Sequence, residues 1–189
     1  MTAVLTIDIQ DLNQQFVEDL KHQFAHSDVE IRVYERPSAA AIFTLDDFWR
    51  IIEKLDWSKE GDDDAVVEPV VEALQIQPLA HIYRFSDILS EKLWHLDTKQ
   101  HAQVFQTNTE GESYLSVDDF LYARCAVVAN GHDYYETVLK NPDKMPTLVT
   151  FEPLLYVAMD AYKRKTGKEF SSIPAFNYET YSNKEAWKK

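Results

Sequence analysis

Residues 117–130 read VDDFLYARCAVVAN, and a helix over that stretch carries apolar side chains on nearly every face. Such a helix is stable only where other elements cover it all round, so the chain must fold into a body with a buried central helix. Ser116, with Asp119 three positions later, is a start signal, and Gly131 supplies the left-handed residue that stops the helix. Arg124 is the one charge between Phe120 and Ala129 and shares a helix face with Phe120, Val127 and Val128. Its guanidinium is therefore expected to be partly buried and to need partners. Two readings stand open: an internal ion pair or bonds to helix-end carbonyls, and an anion clamp in a cleft.

The elements that could cover this helix are themselves helical. Thr44 with Asp47 resembles a capping box, followed by Phe48, Ile51, Ile52 and Leu55 as an apolar stripe. The carboxylates at 62–64 favour the positive end of the next helix; Pro69 falls either in the first turn of a helix starting near Val67 or at a kink in one that began earlier, and the late start is preferred. Pro78 suits a first helical position, and Leu79, Ile82, Phe85, Leu89, Leu93 and Leu96 step by three and four along a helix of about twenty residues. A polar stretch at 106–113 with Gly111 precedes Ser116. Two further helices are expected at 132–140, stopped by Asn141-Pro142, and at 151–165, stopped by Gly167. Residues 168–189 read as a tail that drapes over the body and frays at its basic end.

The first 36 residues have another pattern. Leu5, Ile7 and Ile9, then Val29, Ile31 and Val33, alternate with polar residues, while Leu12, Phe16, Val17, Leu20 and Phe24 between them recur at helical spacing. This predicts strand, helix, strand with a parallel crossover. Two strands alone are marginal in water, so the unit should lean on the rest of the chain or form a homodimer through residues 1–36. Pro37 and residues 38–41 make a joint. The expected fold is mainly α: a compact helical domain of about six helices over 43–167 with a small N-terminal strand-helix-strand unit.

Composition narrows the function. Across 189 residues, 19 Lys and Arg face 32 Asp and Glu, a net charge of -13. That sign disfavours direct nucleic-acid binding, whose affinity comes from neutralising phosphates. The excess sits in residues 1–99, with 9 basic and 20 acidic side chains, where it would suit a basic protein partner. No basic segment precedes an apolar run at the start and no stretch approaches eighteen apolar residues, so neither a signal peptide nor a membrane contact is expected, and the reading is cytoplasmic. The four glycines stand too far apart to share a phosphate loop. Lone Cys125 lies in an apolar helix, where its thiol should be inert. His95, Asp97 and His101 do not share a helix face, so no metal site is assigned, and no cofactor is expected. Asp118/Asp119 and Asp62/Asp63 read as helix-start groups rather than as an acid/base pair.

Several of these segments together resemble a known family. Phe48-Trp49-Arg50-Ile51-Ile52, the run from Leu115 through Asp119, Phe120, Tyr122 and Arg124 to Cys125, Gly131, and Asn141-Pro142-Asp143 are similar to the bacterial family called domain of unknown function 4240, over about residues 43–167. The resemblance implies a small helical domain and brings no activity with it. It implies that Phe48, Trp49, Asp119, Phe120, Tyr122, Arg124 and Gly131 occupy motif positions, of which Tyr122 and Arg124 are the polar ones not explained by packing or caps. Residues 1–36 fall outside it and look like the strand-helix-strand starts of some small bacterial antitoxins. The candidate anion or partner site is thus Arg124, Tyr122, Asp119 and Trp49. The functional expectation is a non-catalytic interaction or regulatory domain whose acidic surface engages a basic partner, in an immunity- or antitoxin-like setting. The alternative is an enzyme or small-anion binder using Arg124 and Tyr122 in an interhelical cleft.

Overall fold

The structure is a computed structural model that describes residues 3–8, 12, 14–25, 29–34, 42–107 and 115–188. The joint at Pro37 and residues 38–41, Ile9, and most of the polar loop with Gly111 lie outside the described residues. The chain divides into two compact units, residues 1–42 and 43–189. In the first, β1 (Ala3–Asp8) and β2 (Val29–Tyr34) pair in parallel with Leu5 opposite Ile31, and α1 (Gln14–Gln23) supplies the crossover that a parallel pair requires.

The second unit is helical. Among the described residues it contains α2 (Leu45–Ile52), α3 (Asp63–Gln75), α4 (Leu79–Leu96), α5 (Lys99–Thr107), α6 (Val117–Ala129), α7 (His132–Lys140), α8 (Val157–Thr166) and the short α9 (Lys184–Trp187). Three 3-10 turns, Trp57–Lys59, Pro142–Lys144 and Glu152–Leu155, join them. The capping signals act as expected. Thr44 Oγ1 accepts the Asp47 N–H at 3.1 Å while Asp47 Oδ2 accepts the Thr44 N–H at 2.8 Å, a complete capping box. Ser116 Oγ accepts the Asp119 N–H at 3.3 Å.

The centre is α6, packed against α4, α7 and the 152–155 turn. Nine of its 13 residues are buried, including Phe120, Val127 and Val128, as its all-round apolar pattern demands. Each fully buried Phe or Val there contributes about 1.5–3 kcal/mol. Gly131 closes α6 at φ +90, donating its N–H to the Val128 carbonyl, and α7 begins at once. Gly167 stops α8 in the left-handed region at φ +69.

Three expectations about the helices need correction, and with them the count of about six. Seven α-helices lie between residues 45 and 166 among the described residues. First, α3 starts at Asp63, not near Val67, because Asp62 Oδ1 accepts the Ala65 N–H at 3.1 Å and caps it there. Pro69 therefore stands inside the helix, at a local cost of about 3 kcal/mol that buried Val66, Val67, Val70, Val71 and Leu74 outweigh. Second, the long helix ends at Leu96, where its apolar stripe ends, but the polar stretch does not follow at once. Asp97 leaves helical geometry with ψ 72, and a separate α5 follows, capped by the Thr98 hydroxyl on the His101 N–H at 3.2 Å. Third, the helix expected over 151–165 opens as the 3-10 turn with Pro153 near its start, and α8 begins only at Val157.

The C-terminal segment belongs to the helical unit. Phe170 stacks on Tyr83 with ring centroids 5.2 Å apart, Phe176 lies against Trp94 at 5.3 Å, and the segment ends in α9.

Candidate functional site

Arg124 is 0% exposed, so its charge must be satisfied within the fold. Its Nη1 donates to the Leu93 carbonyl at 2.9 Å and to the Tyr178 carbonyl at 3.0 Å, Nη2 donates to Thr180 Oγ1 at 3.0 Å, and Nε donates to the Phe120 carbonyl at 3.4 Å. Leu93 lies in the last turn of α4, where carbonyls lack helical donors, so a guanidinium there meets the negative end of the helix. The guanidinium also lies over the Phe120 ring, 4.8 Å from its centroid. Burial pushes its pKa down from the ordinary arginine value, and the negative charge of Asp97 opposes that shift. Among the described residues no carboxylate pairs with it directly. Of the two structural partners expected from sequence, the helix-end carbonyl is the one used.

Asp97 is the counterpart that sequence reasoning weighed only as a metal ligand. It is also 0% exposed. Oδ1 accepts the Tyr181 N–H at 3.1 Å and the Trp187 Nε1–H at 2.9 Å, and Oδ2 accepts the Asn183 N–H at 2.9 Å and the Ser182 hydroxyl at 3.2 Å. Those four donors satisfy both carboxylate oxygens within the core. The available signal was an Asp interrupting the helical stripe just after Leu96.

His101 is a third buried ionisable side chain. Its Nε2 lies 3.1 Å from the Val138 carbonyl and its Nδ1 2.7 Å from Thr98 Oγ1. A carbonyl can only accept, so Nε2 carries the proton and Nδ1 accepts the Thr98 hydroxyl. Burial holds the His101 pKa below the ordinary value, with the bond to Val138 opposing and the Arg124 charge reinforcing. Beside it lies a cavity of about 380 Å³ lined by His95, Thr98, His101, Lys140, Asn183 and Glu185, among others. Among the described residues no group of three or more His, Cys, Asp or Glu is placed to hold a metal ion.

The four residues singled out from sequence are not brought together. Tyr122 stands two positions before Arg124 on α6, about 200° away around the helix. It meets Glu152, which also accepts the Tyr156 hydroxyl at 2.6 Å. Burial and then the Glu152 charge raise the Tyr122 pKa, while the bond to Glu152 comes first in pushing Tyr156 up to about 12. Both phenols therefore act as neutral donors. Asp119 is exposed in the first turn of α6. Trp49 is 5% exposed on α2, with its ring 5.2 Å from His132 and 5.4 Å from Tyr135, and its Nε1–H has no acceptor. The interhelical cleft expected to join Arg124 and Tyr122 is thus corrected: one side chain is sealed beneath the C-terminal segment and the other faces the 152–156 turn. Cys125 is fully buried and its thiol is pushed up to about 12, out of nucleophilic range.

No helix among the described residues is long and apolar enough to cross a membrane. No curated protein and no solved structure matches the chain. The family described as "Protein of unknown function (DUF4240)" matches residues 43–164, a span that takes in Trp49, Asp97, His101, Asp119, Tyr122 and Arg124 and stops short of the segment that closes over Arg124. The chain belongs to the DUF4240 family.

Proposed function

We propose that this protein is a non-catalytic interaction module whose acidic α2–α3 face engages a basic protein partner. The supporting observation is the contrast between interior and surface charge. Arg124, Asp97 and His101 spend their hydrogen bonds on the fold itself. Residues 45–75, in contrast, carry ten carboxylates against three basic groups, and Glu53, Glu60, Asp63, Asp64 and Glu72 are exposed. Trp57 stands among them, 44% exposed and 5.1 Å from the Phe151 ring, an amphipathic anchor of the kind that interfaces favour. Surface carboxylates without partners cost the folded chain little and steer a cationic surface toward it.

The test is recovery of partners from native cells at low and high salt, with the intact chain beside a variant carrying Glu53→Gln, Glu60→Gln, Asp63→Asn and Asp64→Asn. The expected result is a protein partner that is lost at high salt and lost with the variant. Failure to recover any salt-sensitive partner sinks the reading.

A second copy of the chain is proposed as the partner of residues 1–36. A two-stranded sheet beside a helix with no buried residue is too small to stand alone in water. Sedimentation of the full chain should give a dimer, and a monomer at all concentrations would remove this proposal.

A further inference from the structure

Residues 175–187 lie beyond the family match, yet five of their main-chain groups are held by four side chains of the helical body. Asp87 Oδ1 accepts the Ala175 N–H at 3.0 Å and Ser90 Oγ the Phe176 N–H at 3.3 Å. Arg124 Nη1 donates to the Tyr178 carbonyl at 3.0 Å, and the two oxygens of Asp97 take the Tyr181 and Asn183 N–H groups at 3.1 and 2.9 Å. Two aromatic anchors mark the ends. Phe176 lies 5.3 Å from Trp94, while Trp187 lies 6.4 Å edge-on to Phe120 and gives its Nε1–H to Asp97 at 2.9 Å. Side chains that read main-chain groups, flanked by ring contacts for two aromatics, are a means by which proteins recognise a peptide's backbone and anchor its ends.

The segment also has the character of a ligand laid on a surface. It has no regular structure between the end of α8 and the start of α9. The link that delivers it, residues 171–174, includes Ile173 at 95% exposure. Tyr181 is held at φ +73, a conformation rare for a residue with a side chain, directly at its bond to Asp97. Local strain of that kind persists only when surrounding contacts impose it.

We propose that the groove between α4, the Asp97 corner and α6 is a peptide-binding site, with residues 175–187 as its resident ligand held in cis. The ligand class is a peptide with an aromatic at each end, a turn that presents free N–H groups to a buried carboxylate, and a short helical turn carrying the second aromatic. Covalent attachment keeps the resident segment at a millimolar-scale effective concentration, so a peptide in trans competes only when the resident is loosened. The inference uses none of the α2–α3 carboxylates, so it and the basic-partner reading fail independently.

The experiment uses the full chain with a specific protease site inserted between Ser171 and Ser172, folded first and then cut. The probe is a fluorescent synthetic peptide of residues 173–188, followed by anisotropy, with circular dichroism reporting the helical body. Saturable exchange of the probe into the cut protein is expected, with the body still folded. Binding to the uncut chain should be much weaker, and a probe carrying Trp187→Ala should bind at least about tenfold more weakly. The proposal is overturned if the cut protein stays folded without taking up the probe, if it unfolds when the segment leaves, if a scrambled peptide binds equally well, or if cut and uncut chains bind the probe alike.

Discussion

Arg124 and Asp97 are both fully buried and form no direct ion pair; the same C-terminal segment bridges them, its Tyr178 carbonyl on the guanidinium and its Tyr181 and Asn183 N–H groups on the carboxylate. Each side chain meets main-chain dipole ends of opposite sign, and Arg124 feels the Asp97 charge at longer range. Such an arrangement tolerates burial only while every member is present.

Replacing Arg124 with Met should destabilise the protein by about 3–5 kcal/mol, because the Leu93 and Tyr178 carbonyls lose their donor and Asp97 loses its compensating charge. Arg124→Lys should also destabilise, since one ammonium lacks the fork that spans three directions. Denaturant unfolding checks both. Wild-type stability in either variant would contradict the bonding described.

Asp97→Asn keeps the shape but sets an amide N–H₂ against donors that now meet a carboxylate oxygen. A loss of about 2–4 kcal/mol is expected. Hydrogen exchange should locate it: the Tyr181 and Asn183 amides should lose protection first, while the amides of α3 keep theirs.

Stability should fall as pH drops below about 6.5. His101 is held neutral by burial, so its folded pKa lies below the unfolded value near 6.5. Below 6.5 the unfolded chain binds a proton that the folded chain refuses, so unfolding gains as protons are added. This contribution is whole above 6.5 and is lost progressively toward the lowered folded pKa. Thermal melts between pH 7.5 and 5 check it against His101→Gln, whose profile should be flatter over that window.

Trp49→Phe should cost less than a buried tryptophan usually does. The indole is tilted against His132 and Tyr135, but its Nε1–H is buried without an acceptor, and removing that donor returns about 1–3 kcal/mol of desolvation against the smaller ring. A net change within about 1 kcal/mol is expected by denaturant unfolding. A large loss would reveal an acceptor for the indole.

Local signals were legible wherever the chain's neighbours along the sequence decide the outcome. The Thr44–Asp47 box, the Ser116 cap, the stops at Gly131 and Gly167 and the buried α6 are all set by residues within a turn or two. The expected start at Val67 failed because proline's cost was weighed without the packing of five buried apolar side chains on the same helix. Arg124 could be recognised as a buried charge in need of partners, but which partners could not.

What the sequence by itself determined is therefore the helical body, its caps and its solvated acidic face, since period, capping chemistry and charge act over short range. The tertiary structure alone decided that a separate α5 follows the Asp97 corner, that Tyr122 meets Glu152, and that residues 175–187 seal Arg124 and Asp97. Those outcomes depend on contacts such as Arg124 to Tyr178 and Asp97 to Asn183, between residues far apart in the chain. No periodicity encodes such contacts, because their free energy exists only once the helices have brought the partners within hydrogen-bond reach.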